Sequence, residues 1–205
     1  MPELTRTQTA SRSAFLELQD EKRLVNDGYE FLDEKRILLA AELLRQRDAW
    51  REANAEFMAR WDKAAKLLPS AAADQGLEGL QVYPRFTLNE DGLEISGRPY
   101  VGQVMLEASF DVGGATLLRR PVRPSREVRR LVAAFREVLE AAAPLAAIAA
   151  NLRRLMREYR RTERRVRALE NVVLPEIRQD LAAMEEHLDL NEQEEVIRVR
   201  SIRSV

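Results

Sequence analysis

Apolar residues recur with helical period along two stretches of this chain. In the second, Val138, Ala141, Leu145, Ile148, Leu152, Leu155, Tyr159, Thr162, Val166, Leu169 and Val173 follow alternating spacings of three and four. A period of 3.5 residues predicts a left-handed supercoil with one apolar seam. The first stretch carries Leu18, Val25, Leu32 and Leu39 with Tyr29, Leu43, Trp50 and Phe57, interrupted by Lys22, Arg36 and Gln46. Polar interruptions weaken a seam locally but help fix its register.

The punctuation residues separate the two stretches. Seven of the eight glycines and five of the eight prolines fall between residues 69 and 124. That segregation predicts an N-terminal tail (1–11), a first helix (12–68), a small β-containing segment (69–124) and a second helix (125–205). The first helix is expected to start after Ser11 or Ser13 and to stop before Pro69, the second to start at Ser125. The expected fold is all-α dominated: a long antiparallel left-handed coiled coil of the N- and C-terminal helices with that β-containing middle. Folding Leu68 opposite Ser125 places Arg12 near Leu181 and leaves the last residues overhanging.

Within the second helix the spacing lengthens, since Leu169, Val173, Ile177 and Leu181 are each four apart. Such a stutter locally unwinds a supercoil, and Pro175 inside it predicts a kink. Pro144 is a second candidate break. In the middle, the run PRFTLNEDGLEIS predicts a turn at Asn89 to Gly92 between two short strands.

Composition supports the helical reading: 33% of residues are charged and 6% aromatic, as long helices require. The chain contains no cysteine, which excludes disulfides and thiolate chemistry. The N-terminus lacks the apolar stretch of a secretory signal, and no stretch is apolar enough to span a bilayer, so a cytoplasmic protein is expected. Net charge is only -1 but unevenly spread. Residues 151–167 hold eight arginines against Glu158 and Glu163, whereas 170–195 hold nine acids against Arg178. These bands are either ordinary solvated flanks or surfaces for partners of opposite charge. Without aromatic residues between the arginines beyond Tyr159, nucleic acid is a poor match.

Catalytic chemistry finds no foothold. There is no G-x-x-x-x-G-K-[ST] loop, and Gly113-Gly114 is followed by Ala-Thr-Leu-Leu rather than lysine. His187 is the only histidine, so no histidine pair can hold a metal. Adjacent acids such as Asp33-Glu34 and Glu194-Glu195 diverge on a helix surface and make no acid/base dyad. No catalytic residue, cofactor site or metal site is predicted.

The stretch Arg164 to Ile177, RRVRALENVVLPEI, resembles the R-R-V-N-A-L-E-x-V-(V/I)-(I/L)-P-x-I signature of the central-rotor D subunits of V-type and A-type ATPases. Ser11-Arg12-Ser13, Phe15 to Leu18, Gly28, Leu32 and Lys35-Arg36 are similar to that family's N-terminal elements, and Glu194 to Arg203 to its R-E-x-x-F-R-L-K-x-I-K. Asp33, Glu34, Ile37, Val196 and Ile197 depart from the family pattern. The resemblance implies a non-catalytic shaft within a ring of A and B subunits. It further implies binding to the small F subunit, seating on the funnel subunit above the membrane rotor ring, and a cytoplasmic position peripheral to the membrane without insertion. Candidate partner contacts are Arg160, Arg161, Arg164 and Arg165 in the arginine band, with Glu194, Glu195, Arg198 and Arg200 in the C-terminal motif. Leu145, Ile148, Leu152, Leu155, Tyr159, Val166, Leu169 and Val173 are the expected seam. The alternatives are an F-type gamma rotor and a cytoplasmic coiled-coil scaffold.

Overall fold

The computed structural model describes residues 11–81, 92–112 and 125–203. They form α1 (Arg12–Gln81), β1 (Leu93–Tyr100), β2 (Gln103–Phe110), α2 (Arg126–Ala168), a π-helical turn (Leu169–Val173) and α3 (Leu174–Arg203). The described chain is thus helical apart from one hairpin. Contacts divide it into two compact units, Met1–Ile37 with Tyr159–Val205, and Leu38–Glu158.

Serine caps open both long helices. The Ala14 amide donates to Ser11 Oγ at 3.2 Å. At α2, Ser125 Oγ accepts from the Glu127 and Val128 amides at 3.2 and 3.4 Å. Each hydroxyl satisfies amides that have no partner inside the first turn.

In the unit Leu38–Glu158, α1 and α2 run antiparallel. Lys63 pairs with Glu137 at 2.9 Å, Arg60 donates to the Glu137 carbonyl at 3.0 Å, and Ser125 bonds Asp74. Ala64 packs with Ala134 and Val138, and Ala71 with Val128 and Leu131. Alanine at these crossings leaves no long side chain to hold the backbones apart. Phe57, Trp61 and Phe135 add rings at 6.3 and 6.0 Å between neighbouring centroids, the second pair edge-to-face.

Pro69 does not end α1, contrary to the expected stop at Leu68. The helix continues through it, because only one intrahelical bond is lost while Ala71 beyond it is fully buried against α2. The interruption comes at Gly76, whose φ of 71° and ψ of 160° are non-helical, a left-handed φ that glycine adopts without a Cβ penalty. Ser125 therefore meets Asp74 rather than Leu68. Pro144 likewise lies inside an uninterrupted α2.

In the other unit, Leu18 packs with Ile177 and Leu181, flanked by Phe15, Val25, Val173 and Met184. Arg12 pairs with Glu192 at 3.6 Å, so it lies beyond the expected Leu181. The irregularity anticipated at Pro175 takes the form of the π-helical turn just before it. The Leu174 amide donates to the Leu169 carbonyl, five residues back, so the turn holds one residue more than an α-turn. This insertion shifts the seam. Thr162 and Val166 are buried before it, and Leu174, Ile177 and Leu181 after it, one position later than an unbroken repeat through Val173 would place them.

The hairpin has a turn that the sequence pattern did not mark. Its two strands pair from Leu93↔Phe110 to Tyr100↔Gln103, closed by Val101 and Gly102 at φ 46° and 77°. Two positive-φ residues make the tight turn whose twist suits antiparallel strands. The turn expected at Asn89 to Gly92 has residues 89–91 outside the described residues. Gly92 bonds back to Asp111, whose amide donates to the Gly92 carbonyl at 2.9 Å, and a Cβ there would come within 2.3 Å of the Asp111 carbonyl oxygen.

Beneath the hairpin lies the buried carboxylate of Glu42. Arg45 Nε and Nη2 donate to it at 2.8 and 2.6 Å, and Gln46 Nε2 at 2.9 Å. The Arg45 bonds, opposed by desolvation and aided by Gln46 and by Arg98 of β1, lower its pKa from the ordinary 4.5. A lowered folded pKa contributes stability above the unfolded value that is lost as pH falls through the folded one.

Burial and charge can be tested separately. Leu155 is fully buried and its neighbour Met156 is 41% exposed. Leu155→Ala should lower unfolding free energy by about 2 to 5 kcal/mol, and Met156→Ala by about 0.5 kcal/mol or less, read from urea titrations of the isolated chain. In the same assay repeated from neutral pH downward, Glu42→Gln should flatten the loss of stability below the ordinary carboxylate pKa. An unchanged acid limb would show that Glu42 is not among the groups responsible.

Candidate interaction surfaces

With one seam occupied, most side chains on these helices face outward. Of the expected seam residues, Leu155 and Val166 are fully buried, while Leu145, Ile148, Leu152, Tyr159, Leu169 and Val173 are half-buried. Thr162 and Asn151 are buried polar members of the same helix.

The candidate contacts lie outside that stripe. Arg160, Arg161, Arg164 and Arg165 are all exposed. Arg164 Nε donates to the Arg160 carbonyl at 3.3 Å, and the nearby Glu163 is engaged by Arg167 at 2.6 Å. Two i, i+4 pairs of cations within six residues repel one another unless an anionic surface approaches. On α3 every residue from Asp189 to Arg200 is exposed, including Glu194, Glu195, Arg198 and Arg200. Leu190, Val196, Ile197 and Val199 are more than half exposed there, and Asp189, Glu192, Gln193, Val196 and Ile197 line a shallow groove. Acidic residues up to Glu195 are thus followed by Val196, Ile197 and Val199 interleaved with Arg198 and Arg200 on one exposed helix, a composition suited to a polypeptide partner. On α1, Leu24 and Phe31 are 72% and 67% exposed on either side of Gly28, where a Cβ would meet nothing within 4 Å.

His187 is exposed and contacts Asn191 at 3.2 Å. Among the described residues no group of three potential ligands could hold a metal, and no helix is long and apolar enough to cross a membrane.

The hairpin adds a surface that periodicity did not reveal. Its register puts Arg98, Tyr100, Met105 and Glu107 on one face and Leu93, Ile95, Val104 and Leu106 on the other. The first, largely polar face meets the helices: Tyr100 Oη donates to the Leu38 carbonyl at 3.3 Å, and Met105 is buried. Arg98 and Glu107 are close enough to bias Glu42 and Arg45. The apolar face is turned outward, with Leu93, Ile95 and Val104 exposed by 45%, 61% and 51%. A signal for the turn existed in Gly102, but Val101 before it is an unusual residue for a positive φ.

Comparison with known proteins gives these surfaces a context. Residues 14–204 match the family of ATP synthase D subunits. The D subunit of the V-type ATP synthase of Thermotoga neapolitana is 23% identical over 193 residues, covering 94% of this chain and 95% of that protein. The D subunit of the A-type ATP synthase of Methanopyrus kandleri is 27% identical over 197 residues, covering 95% and 85%. Its counterpart in Pyrococcus abyssi is 27% identical over 214 residues, covering 100% and 97%. The identities are modest, but the match runs through both helical stretches and the hairpin between them, and on it the chain belongs to the family of ATP synthase D subunits.

Proposed function

We propose that this chain is the non-catalytic central rotor shaft of a V/A-type rotary ATPase. It would couple ATP hydrolysis or synthesis in a ring of A and B subunits to rotation and ion translocation by the membrane ring. The observation that carries the reading is the antiparallel pairing of α1 with the C-terminal helices in a chain that matches the D-subunit model over residues 14–204. A rotor must resist twisting while offering different faces to successive ring subunits. Two helices joined along a buried stripe resist relative displacement, and the uneven distribution of arginines, acids and apolar residues around them supplies asymmetry. The F subunit and the funnel subunit are the further proposed partners, and the chain would sit peripheral to the membrane. The sequence carries no phosphate-binding loop, which favours nucleotide turnover residing in the ring.

Stability and coupling should respond to different residues. The double change Arg164→Glu with Arg165→Glu lies on exposed positions, so the melting of the isolated chain should change by roughly 1 kcal/mol or less. The ATPase of a reconstituted ring should lose its dependence on the chain, and raising salt should reduce the difference between wild type and variant. The wild-type chain alone should hydrolyse no ATP. Hydrolysis by the pure chain, or full coupling by the doubly reversed variant, would contradict the proposal.

A further inference from the structure

We propose that Asn151 is a positioning residue: its side-chain amide takes the place of a third β-strand and locks the hairpin to α2, so that hairpin and helix move as one body. The coupling consequence rests on the rotor reading, whereas the clasp does not.

Asn151 is 3% exposed in the interior of α2. Asparagine is a poor helix former, and a buried amide left unpaired is destabilising. Here both of its polar atoms are engaged by a single residue. The Leu106 amide donates to Asn151 Oδ1 at 2.8 Å, and Asn151 Nδ2 donates to the Leu106 carbonyl at 2.7 Å. These are short, well-formed bonds.

The register explains why Leu106 is available. With Tyr100 and Gln103 closing a two-residue turn, alternate residues of β2 bond to β1 and the others direct their amides away from it. Leu106 and Val104 belong to the second set. A neighbouring strand would offer one N–H and one C=O to Leu106, and the Asn151 amide offers the same pair. Three residues along α2, Arg154 Nη1 donates to the Val104 carbonyl at 3.2 Å, so consecutive outward positions of this edge are held by the same helix. Tyr100 ties the other strand to α1 at Leu38.

This attachment opposes a hydrophobic preference. Leu93, Ile95 and Val104 stand exposed, and an untethered hairpin would gain by covering them. The clasp keeps the apolar face outward. Asparagine suits the role because its amide has donor and acceptor side by side; aspartate lacks the donor and leucine has neither.

Amide hydrogen exchange on the full chain, followed by coupling assays of the assembled complex, tests the idea. Asn151→Ala should speed exchange of the Leu106 amide by about tenfold or more while the amides around Val166 keep their protection. Asn151→Asp should match Asn151→Ala at neutral pH, where a carboxylate faces the Leu106 carbonyl. Near pH 4 a protonated carboxyl again offers donor and acceptor, and protection relative to other amides should recover toward wild type. In the assembled complex, Asn151→Ala should reduce chain-dependent ATPase about threefold or more. Unchanged Leu106 protection in Asn151→Ala, or no acid recovery in Asn151→Asp, overturns the clasp. Lost protection with undiminished ATPase overturns its part in coupling. A ring indifferent to the wild-type chain contradicts the rotor reading instead, and the exchange data then decide the clasp alone.

Discussion

A pair of helices buries one stripe of each, and that geometric limit shapes the rest of this molecule. A globular domain surrounds a core; here the fully buried large side chains are few, among them Leu39, Leu155 and Val166. Stability therefore depends on keeping each stripe in phase with its partner over many turns. The π-helical turn at Leu169–Val173 is a consequence. It inserts one residue before Pro175, whose ring would crowd the carbonyl four residues back in an unbroken α-helix, and Leu174, Ile177 and Leu181 then return to the buried side.

The same limit explains why so many apolar residues are exposed. Leu24, Phe31, Ile197 and Val199 lie outside the one available stripe and have nowhere to be buried within their units. Exposed groups of this number are unusual for a chain that acts alone, and they agree with membership of a family whose members are subunits. Charge follows the same logic. The arginines from 160 to 165 and the acids around 194 occupy exposed positions that leave the seam undisturbed, so they are free to serve the proposed contacts.

Much of this was legible in the sequence. Spacing put Leu155 and Val166 on the expected seam, and both are buried; Ser11 or Ser13, and Ser125, marked the helix starts, and Ser11 is the serine that caps. The signature from Arg164 to Ile177 pointed to the family. What escaped had local rules overridden by packing. Pro69 reads as a stop, yet Ala71 and its contacts carry α1 onward to Gly76. The pairing offset has the same origin, since a helix assumed to end early also pairs early. The hairpin turn was hidden because Val101 takes a conformation that its side chain disfavours. Asn151 belongs to no motif and carries no sequence signal for its contact. Its partner is 45 residues away on β2, and no periodicity encodes a contact at that separation.

Of the proposed role, the part that distinguishes a rotor from a static scaffold is rotation of this chain relative to the A and B ring. A probe fixed to an exposed α3 residue such as Asp189, with the ring immobilised, would report it under single-molecule observation. The rotor reading predicts unidirectional, stepwise turning that starts with ATP and stops when ATP is withdrawn. A probe that stays still while the same complexes continue to hydrolyse ATP would contradict it.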